Sequence, residues 1–192
     1  MSGCLLNNIK TKDCETTSKI GGLKGRLYLF NITDENGVKV SYTETGNTIS
    51  DITFGGVTST PGLYRVDGEK FAHNFTYSGA MPGINKYYTQ GGTIKTVVAT
   101  DTDIEWLDEV FKATELGVIY ENLNGDFILL GQQNGLKAQE GDMFDSGLEA
   151  ASEIGSTVTM AGEENKPFKL FSAGDYDSTL AKLAELEVVT AP

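Results

Sequence analysis

Short stretches of alternating apolar and polar residues, separated by glycine-containing turns, run along most of this chain. The strongest stretch is Arg26 to Ile32, where five of seven side chains are apolar, and it predicts a β-strand. The Asn-Gly pairs at Asn36-Gly37 and Asn124-Gly125 predict hairpin turns, because this dipeptide adopts positive φ angles that match the twist of paired strands. Further strands are predicted at 38–42, 49–54, 63–66, 71–77, 93–100, 118–121, 127–130, 157–160 and 167–171.

Two segments have the 3.6-residue period of amphipathic helices. In the first, Thr102 is the predicted N-cap of a capping box, and Gly117 is the predicted C-terminal stop. The second runs from Tyr176 to Leu186, with Asp175 or Asp177 as its N-cap. The apolar stripe of the first helix consists of Ile104, Leu107, Val110, Phe111 and Leu116.

Many short strands joined by short turns predict a mainly β fold. The expected architecture is an antiparallel β-sandwich or barrel with one mid-chain α-helix and a C-terminal helix. The segments at 78–90 and 131–147 are predicted to be loops. We expect an extended N-terminal arm at 1–22, a sandwich or barrel domain at 23–174, and a C-terminal helix and tail at 175–192.

The composition is acidic and rich in glycine. The 192 residues include 23 glycines but only 4 prolines, which fits a fold with many tight turns. The formal net charge is −12, and such a chain repels both the phosphates of nucleic acids and anionic membrane surfaces. No apolar stretch approaches the roughly 18 residues of a membrane span, and no signal peptide is expected. Cys4 and Cys14 are expected to be free thiols in a cytosolic protein, whereas a secreted protein would allow a disulfide between them.

Candidate catalytic residues are few. The chain has one histidine, His73, in a predicted strand, and a nucleophile–histidine pair would have to use it. We expect His73 to be solvent-facing or structurally hydrogen-bonded, and sites that need several histidines are excluded. The carboxylates around the start of the first helix are expected to stabilise its dipole rather than to act as a catalytic pair. They are Asp101, Asp103, Glu105, Asp108 and Glu109.

Two further motifs lack the spacing that their chemistry needs. Glu140, Asp142 and Asp145 are similar in composition to a calcium-binding loop but do not have the EF-hand spacing. The run Gly21-Gly22-Leu23-Lys24-Gly25 does not have the spacing of a phosphate-binding loop. We therefore predict no catalytic, cofactor-binding or metal-binding residue, no cofactor, and no enzymatic activity.

The segment from Gly117 to Phe171 resembles the second half of tail-tube-like structural proteins of bacteriophages. In that family a helix precedes a hairpin with an apolar-Leu-Gly-x-x-Asn-Gly run, which is matched here by residues 129–135. A small-residue loop and a Thr-rich strand ending in Gly-Glu-Glu then lead to a proline, matched here by Gly162-Glu163-Glu164 and Pro167. The resemblance covers the C-terminal third of the chain. The tail-barrel rings of crAss-like phages are a variant of the assembly that it implies.

The resemblance implies a virion structural subunit that assembles into a ring or tube of a phage tail or head–tail connector. Such a homo-oligomeric ring, with six-fold symmetry or a multiple of it, closes through head-to-tail contacts. It would contact other tail or connector proteins, and DNA would pass through the lumen without specific binding. The protein would be made in the host cytoplasm and reside in the virion, without membrane contact. The arm at 1–22 and the hairpin Thr33–Val38 are candidates for strand addition to neighbouring subunits.

Two other functions stay open from the sequence alone. A carbohydrate-binding or adhesion β-sandwich would use Trp106, Tyr87 and Tyr88 as stacking residues, although tyrosine is also common at packing interfaces. A small hydrolase would use acidic residues as a carboxylate pair.

Overall fold

The structure, a computed structural model, describes residues 23–34, 36–55, 62–67, 73–80, 87–96, 101–145 and 155–188. It is mainly β, with one mid-chain and one C-terminal helix, as the sequence predicts. The strands are β1 (Leu23–Asn31), β2 (Ser41–Thr45), β3 (Thr48–Thr53), β4 (Tyr64–Asp67), β5 (Asn74–Ala80), β6 (Tyr87–Thr96), β7 (Leu116–Asn122), β8 (Phe127–Leu130), β9 (Lys137–Asp145), β10 (Gly155–Glu164) and β11 (Lys169–Phe171). The helices are α1 (Asp101–Lys112) and α2 (Tyr176–Leu186).

The strands form two open sheets in which antiparallel pairing dominates. Sheet A has seven strands in the order β2-β3-β11-β8-β7-β1-β4, and sheet B has four in the order β5-β6-β10-β9. Among the described strands, only β11 and β3 pair in parallel, so β11 joins the β2–β3 hairpin to the rest of sheet A. Because both sheets keep free edges in the described part of the chain, the architecture is a β-sandwich and not a closed barrel.

Sheet A is buried on both faces. One face packs against sheet B and α1 in a first core that includes Leu27 and Val118. The opposite face packs against α2 in a second core that includes Phe30 and Leu183. Since both faces are covered, β7 is buried over six consecutive residues instead of alternating with solvent-facing positions. The molecule therefore has three layers: sheet B, sheet A and α2.

Helix α2 is attached to sheet A by its first turn. Asp175 is the N-cap, as one of the two predicted alternatives, and accepts a hydrogen bond from the Ser178 N–H at 2.7 Å. The Lys24 ammonium of β1 donates to the Glu121 carboxylate of β7 at 2.5 Å. The same ammonium lies 5.1 Å from the ring centroid of Tyr176, so the start of α2 is held by a cation–π contact.

Both predicted Asn-Gly hairpins are present. Gly37 and Gly125 have φ angles of 77° and 84°, in the left-handed region that the turns require. After the first hairpin, the chain pairs with the β1 side only at Thr33 and Lys39 and then turns away to form β2. The sequence predicts that 38–42 returns along β1. This pairing is limited to the Thr33–Lys39 bridge, and from Ser41 onwards the chain pairs with β3 instead.

The first helix differs from the prediction at both ends. It begins at Asp101, so Thr102 lies inside the helix and is not its N-cap, and it ends at Lys112. The predicted apolar stripe is only partly buried, because α1 contacts the first core through the later residues Leu107 and Val110. Ile104, one turn earlier, is 53% exposed.

Leu116 and Gly117, predicted as the end of this helix, belong to strand β7. The helical period extends past the true helix end because Leu116 happens to continue the stripe in phase. Gly117 is needed for packing and not for helix termination, since a Cβ there would lie 2.2 Å from the ring of Phe30. The prediction failed because the sequence pattern does not distinguish a terminating glycine from a glycine under an aromatic ring.

Both predicted long loops contain strands. β5 extends to Ala80 and β6 begins at Tyr87, so strands occupy both ends of the predicted loop at 78–90. β9 lies within the predicted loop at 131–147. The apolar pattern is weak in both strands. In β6 it is interrupted by Gly91 and Gly92, which pair in register on both sides. β9 is a mostly polar edge strand with register shifts against β10.

Several predicted features lie outside the described residues. These include the arm at 1–22 with Cys4 and Cys14, and the predicted strand ends Phe71 and 97–100. The division of the chain into an arm, a sandwich domain and a C-terminal region stays a prediction.

Candidate functional site: a polar network at the crossing between the sheets

A buried carboxylate at the end of β10 is held by the backbone of the loop between β8 and β9. Glu164 accepts hydrogen bonds from the N–H groups of Gln133 at 3.0 Å, Asn134 at 2.9 Å and Gly135 at 3.2 Å. Glu164 is 1% exposed, so these donors replace the water that a charged carboxylate loses on burial. The loop at 131–136 is thus shaped around one side chain from the other sheet.

Two glycines give the 131–136 loop its shape. Gly131 and Gly135 have φ angles of 70° and 74°, which residues with side chains rarely adopt. A Cβ on Gly135 would lie 2.6 Å from the Cα of Glu115, so the loop packs directly on the chain that precedes β7. Leu116 and Leu136 exchange backbone hydrogen bonds of 2.8 and 2.7 Å. The Asn134-Gly135 pair therefore builds a concave row of N–H groups that suits an anion.

Gln90 of β6 connects this loop to the segment between β10 and β11. Its Oε1 accepts a hydrogen bond from the Gly131 N–H at 2.8 Å, and its Nε2 donates to the Lys166 carbonyl at 3.2 Å. The Asn134 side chain adds a bond of 2.7 Å to the carbonyl of Glu163. Side chains thus join two of the four connections through which the chain crosses between the sheets, the β8–β9 loop and the segment between β10 and β11.

A second group of charges lies where the β2–β3 hairpin meets β11. The Lys169 ammonium donates to the Glu44 carboxylate at 3.2 Å and to the Gly46 carbonyl at 2.7 Å, and the Gln132 amide also donates to Glu44. Burial alone raises the pKa of Glu44, but the hydrogen bond and charge of Lys169 outweigh burial, so the pKa is lowered. Glu44 therefore stays ionised and fixes the hairpin to β11.

Two polar atoms of this region are buried without a partner in the described part of the chain. They are the hydroxyl of Tyr42 and the Oε1 of Gln132. Burial, followed by the charges of Glu164 and Glu44, raises the pKa of Tyr42, so its hydroxyl keeps its proton. We expect ordered water here, because buried donors and acceptors are rarely left unsatisfied.

The first hairpin also joins the network. Thr33 donates to the Glu115 carboxylate at 2.5 Å, and Lys39 donates to the Gln133 carbonyl at 3.1 Å. Each carboxylate in the network accepts from an ammonium, a hydroxyl or a row of N–H groups. Chemically, the arrangement is therefore suited to hold several chain crossings in one rigid geometry.

His73, the single histidine, is a buried structural residue. It is 4% exposed, and its Nδ1 accepts a hydrogen bond from the Lys95 N–H at 3.2 Å. The hydrogen-bonded alternative from the sequence is confirmed, and the solvent-facing one is wrong. Burial lowers the pKa of His73, against a smaller opposing effect of the Gly25 backbone.

This burial predicts a pH dependence of stability. Because the pKa of His73 is lower in the folded chain than its ordinary 6.5, unfolding takes up a proton as the pH falls through 6.5. Stability should therefore fall between pH 7 and pH 5.5, by at most about 1 kcal/mol for one proton. Urea unfolding at each pH measures this, and His73→Asn, which keeps an acceptor for Lys95, should flatten the dependence. An equal slope in the variant would contradict the assignment to His73.

The predicted acidic residues do not form a compact site. In α1, Asp101, Glu105 and Asp108 are exposed, and Asp108 pairs with Lys112 one turn later. Glu140 and Asp142 lie on the extended strand β9, opposite residues of β10, and not around a loop. Within the described ranges, no group of three or more His, Cys, Asp or Glu residues is placed to hold a metal ion.

The predicted stacking residues are separated. Tyr87 and Tyr88 are consecutive on β6, so their side chains point to opposite faces of sheet B. Trp106 is partly buried against the first core. The three rings therefore do not form one surface on which a sugar could stack. Carbohydrate binding stays a prediction.

Sequence reasoning missed the network at the crossing. Glu164, Gln90 and Lys169 occupy strands, where polar residues are normally assigned to the solvent face. The sequence does contain a turn pattern at Asn134-Gly135 and a strand pattern that ends at Glu164. It does not indicate that the two are in contact. Their contact depends on the fold, because 30 residues separate Asn134 from Glu164.

No helix among the described residues is long and apolar enough to span a membrane. Comparison of the chain with protein-family models, with curated proteins and with solved structures found no match.

Proposed function

We propose that this chain is a virion structural subunit that assembles into a ring or tube, as part of a phage tail or head–tail connector through which DNA passes. The observation that carries the proposal is the bond set between Glu164 and the 131–136 loop. These are two parts of the motif that resembles tail-tube-like proteins. Because the two parts contact each other in the fold, they form one structural unit. Their joint presence in the sequence is therefore stronger support for the resemblance than two independent turns would be.

The three-layer sandwich suits a ring subunit. The central strands of sheet A are covered on both faces by the chain itself, so neighbouring copies would contact the strand edges, the loops and the outer surfaces of the molecule. A ring closes when two different surfaces of each copy meet head to tail. The polar network fixes the 131–136 loop against Glu164 and Gln90, and a fixed loop presents the same surface in every copy.

The charge of the chain fits a passage for DNA. A formal net charge of −12 repels phosphate groups at a distance of about 10 Å or less in moderate salt. DNA would therefore move through the lumen without being held by the wall. Such a passage needs no catalytic residue.

Mass photometry and negative-stain electron microscopy of the purified full-length chain test this function. We expect closed rings with a central opening and a mass that is six times the protomer mass or a multiple of it. The purified chain should also leave the mobility of double-stranded DNA unchanged at physiological salt. A chain that stays monomeric at micromolar concentration, even when mixed with the other tail or connector proteins of its virion, would contradict the proposal.

A further inference from the structure

Among the described strands, β5 forms one edge of sheet B. Its seven residues, Asn74–Ala80, pair with β6 without any register shift. In the part of the chain that the structure describes, no strand pairs with the other side of β5. The sequence Asn-Phe-Thr-Tyr-Ser-Gly-Ala has no charged residue and no proline. Long, regular and uncharged edges readily pair with a further strand, and folded proteins usually protect them for this reason.

The other three edges of the sandwich have such protection. β2 has a register shift beside Glu44, and β9 has two register shifts against β10. β4 is only four residues long and includes Arg65 and Asp67. Bulges, charges and short length all hinder strand addition. Of the four described edge strands, β5 is therefore the one most open to the addition of a further strand.

An apolar shelf lies next to this edge. Tyr77 of β5 is 48% exposed, and its ring centroid lies 4.5 Å from that of Phe168. Leu170 is 39% exposed, and its register partner Ile128 packs against the first core, so Leu170 lies on the face of sheet A that is turned towards sheet B. We define the shelf as Tyr77, Phe168 and Leu170.

The shelf lies where an added strand would pair with β5. Such a strand would run about 4.8 Å from β5. Its side chains on the face shared with Tyr77 would then lie over the shelf.

We propose that the β5 edge takes up the N-terminal arm of this chain, residues 1–22, as an added strand formed by residues 4–10. The arm supplies more than the seven residues that the edge needs. It joins the body at Leu23, and the nearby Gly25 backbone lies beside His73, the residue that precedes β5. The arm therefore leaves the body close to one end of its acceptor.

Charge and side-chain pattern agree with this occupant. The arm has three lysines and two acidic residues, whereas the chain as a whole has a net charge of −12, so the body attracts the arm. In a strand, Leu5 and Ile9 point to the same face and Lys10 points to the other. With Asn7 opposite Tyr77, both apolar side chains lie over the shelf and Lys10 faces solvent. Leu5 and Ile9 are on this face whether the added strand runs parallel or antiparallel to β5.

Pairing of the arm with β5 does not require that the chain forms rings. An arm that pairs with its own β5 covers the edge of a single subunit. An arm that pairs with the β5 of a second copy also links the two subunits. The experiments below separate these arrangements from each other and from ring formation.

Hydrogen–deuterium exchange of the full-length chain tests the pairing. Alternate N–H groups of β5 point away from β6, and the added strand should protect them. The double variant Leu5→Asp/Ile9→Asp should speed their exchange by at least about tenfold and leave β4 unchanged. The matched double variant Leu6→Asp/Asn8→Asp adds the same charge on the solvent face and should leave β5 protection within about twofold.

Native Cys4 provides a second measurement. In this register Cys4 lies opposite Ala80 if the strands are antiparallel and opposite Asn74 if they are parallel. In a Cys14→Ser background, either Ala80→Cys or Asn74→Cys should form a disulfide with Cys4. Thr159→Cys, on the central strand β10, should not. A disulfide within one chain identifies its own arm, and a disulfide-linked dimer identifies the arm of a second copy.

The two measurements decide the proposal. Rapid exchange of the outward β5 amides in the unmodified chain would overturn it, as would protection that is unaffected by Leu5→Asp/Ile9→Asp. Failure of both Ala80→Cys and Asn74→Cys to bridge with Cys4 would also overturn it. Rings formed by an unmodified chain whose outward β5 amides exchange rapidly would overturn the arm pairing alone and leave the proposed function intact.

Discussion

Replacement of Glu164 by alanine is expected to lower the free energy of unfolding by about 3 kcal/mol. The substitution removes the acceptor for the N–H groups of Gln133, Asn134 and Gly135. Each buried donor without an acceptor costs about 1–3 kcal/mol, and entry of water recovers part of the sum. Urea unfolding, followed by the fluorescence of the single tryptophan Trp106, measures the loss.

The neighbouring residue supplies the control for this prediction. Glu163 is exposed, so Glu163→Gln should change stability by less than about 0.5 kcal/mol while removing the same charge. Glu164→Gln keeps one oxygen acceptor and should fall between the two. If Glu164→Ala and Glu163→Gln cost the same, the carboxylate does not hold the 131–136 loop.

Replacement of Gly117 by alanine is expected to lower the free energy of unfolding by about 2–3 kcal/mol. The added Cβ would lie 2.2 to 2.6 Å from three carbons of the Phe30 ring. Phe30 has no exposed surface and lies in the second core, so the ring cannot move aside without displacing its neighbours. Thermal and urea unfolding both report this change.

A double variant separates overpacking from other effects of the substitution. Phe30→Leu removes ring atoms that the new methyl group would meet, so Gly117→Ala should cost less than about 1 kcal/mol in that background. Gly79→Ala is the matched glycine control, because its Cβ would be 3.8 Å from the nearest atom, in Tyr88. Gly79→Ala should therefore be close to neutral. Additive costs of Phe30→Leu and Gly117→Ala would rule out the clash.

Local chemistry made the turns and the C-terminal helix predictable. Asn36-Gly37 and Asn124-Gly125 form the expected turns because positive φ is a property of these residues and not of their surroundings. Helix α2 has the predicted bounds, since an N-cap aspartate and an apolar stripe are both readable within eleven residues. Such features need no knowledge of the rest of the chain.

Features that depend on packing were not predictable in the same way. Gly117 has the sequence context of a helix terminator but lies in a strand under Phe30, and only the position of the ring explains it. Strand β9 lacks an apolar period because it lies at the edge of sheet B. In both cases tertiary contacts decide between local alternatives that the sequence leaves nearly equal.

The candidate site was harder to predict than the fold. Its members come from β2, β6, the 131–136 loop, β10 and β11, and each looks like an ordinary polar residue in its own segment. Glu164 and Gln90 have a structural role because they are buried. The pattern of a single sequence does not show which polar residues are buried. The sequence shows the turn at Asn134-Gly135 and the strand that ends at Glu164 as separate patterns, without indicating that they touch.

Strand β11 has a consequence for the way the chain is assembled. It is three residues long, comes near the end of the sequence, and lies between β3 and β8 in the middle of sheet A. During synthesis, the β2–β3 hairpin is therefore made long before the strand that attaches it to the sheet. Such distant pairing slows folding and leaves unpaired strand edges exposed meanwhile. Ribosome-bound nascent chains that stop before Lys169 should therefore depend on chaperones to stay soluble, whereas chains that extend past α2 should not.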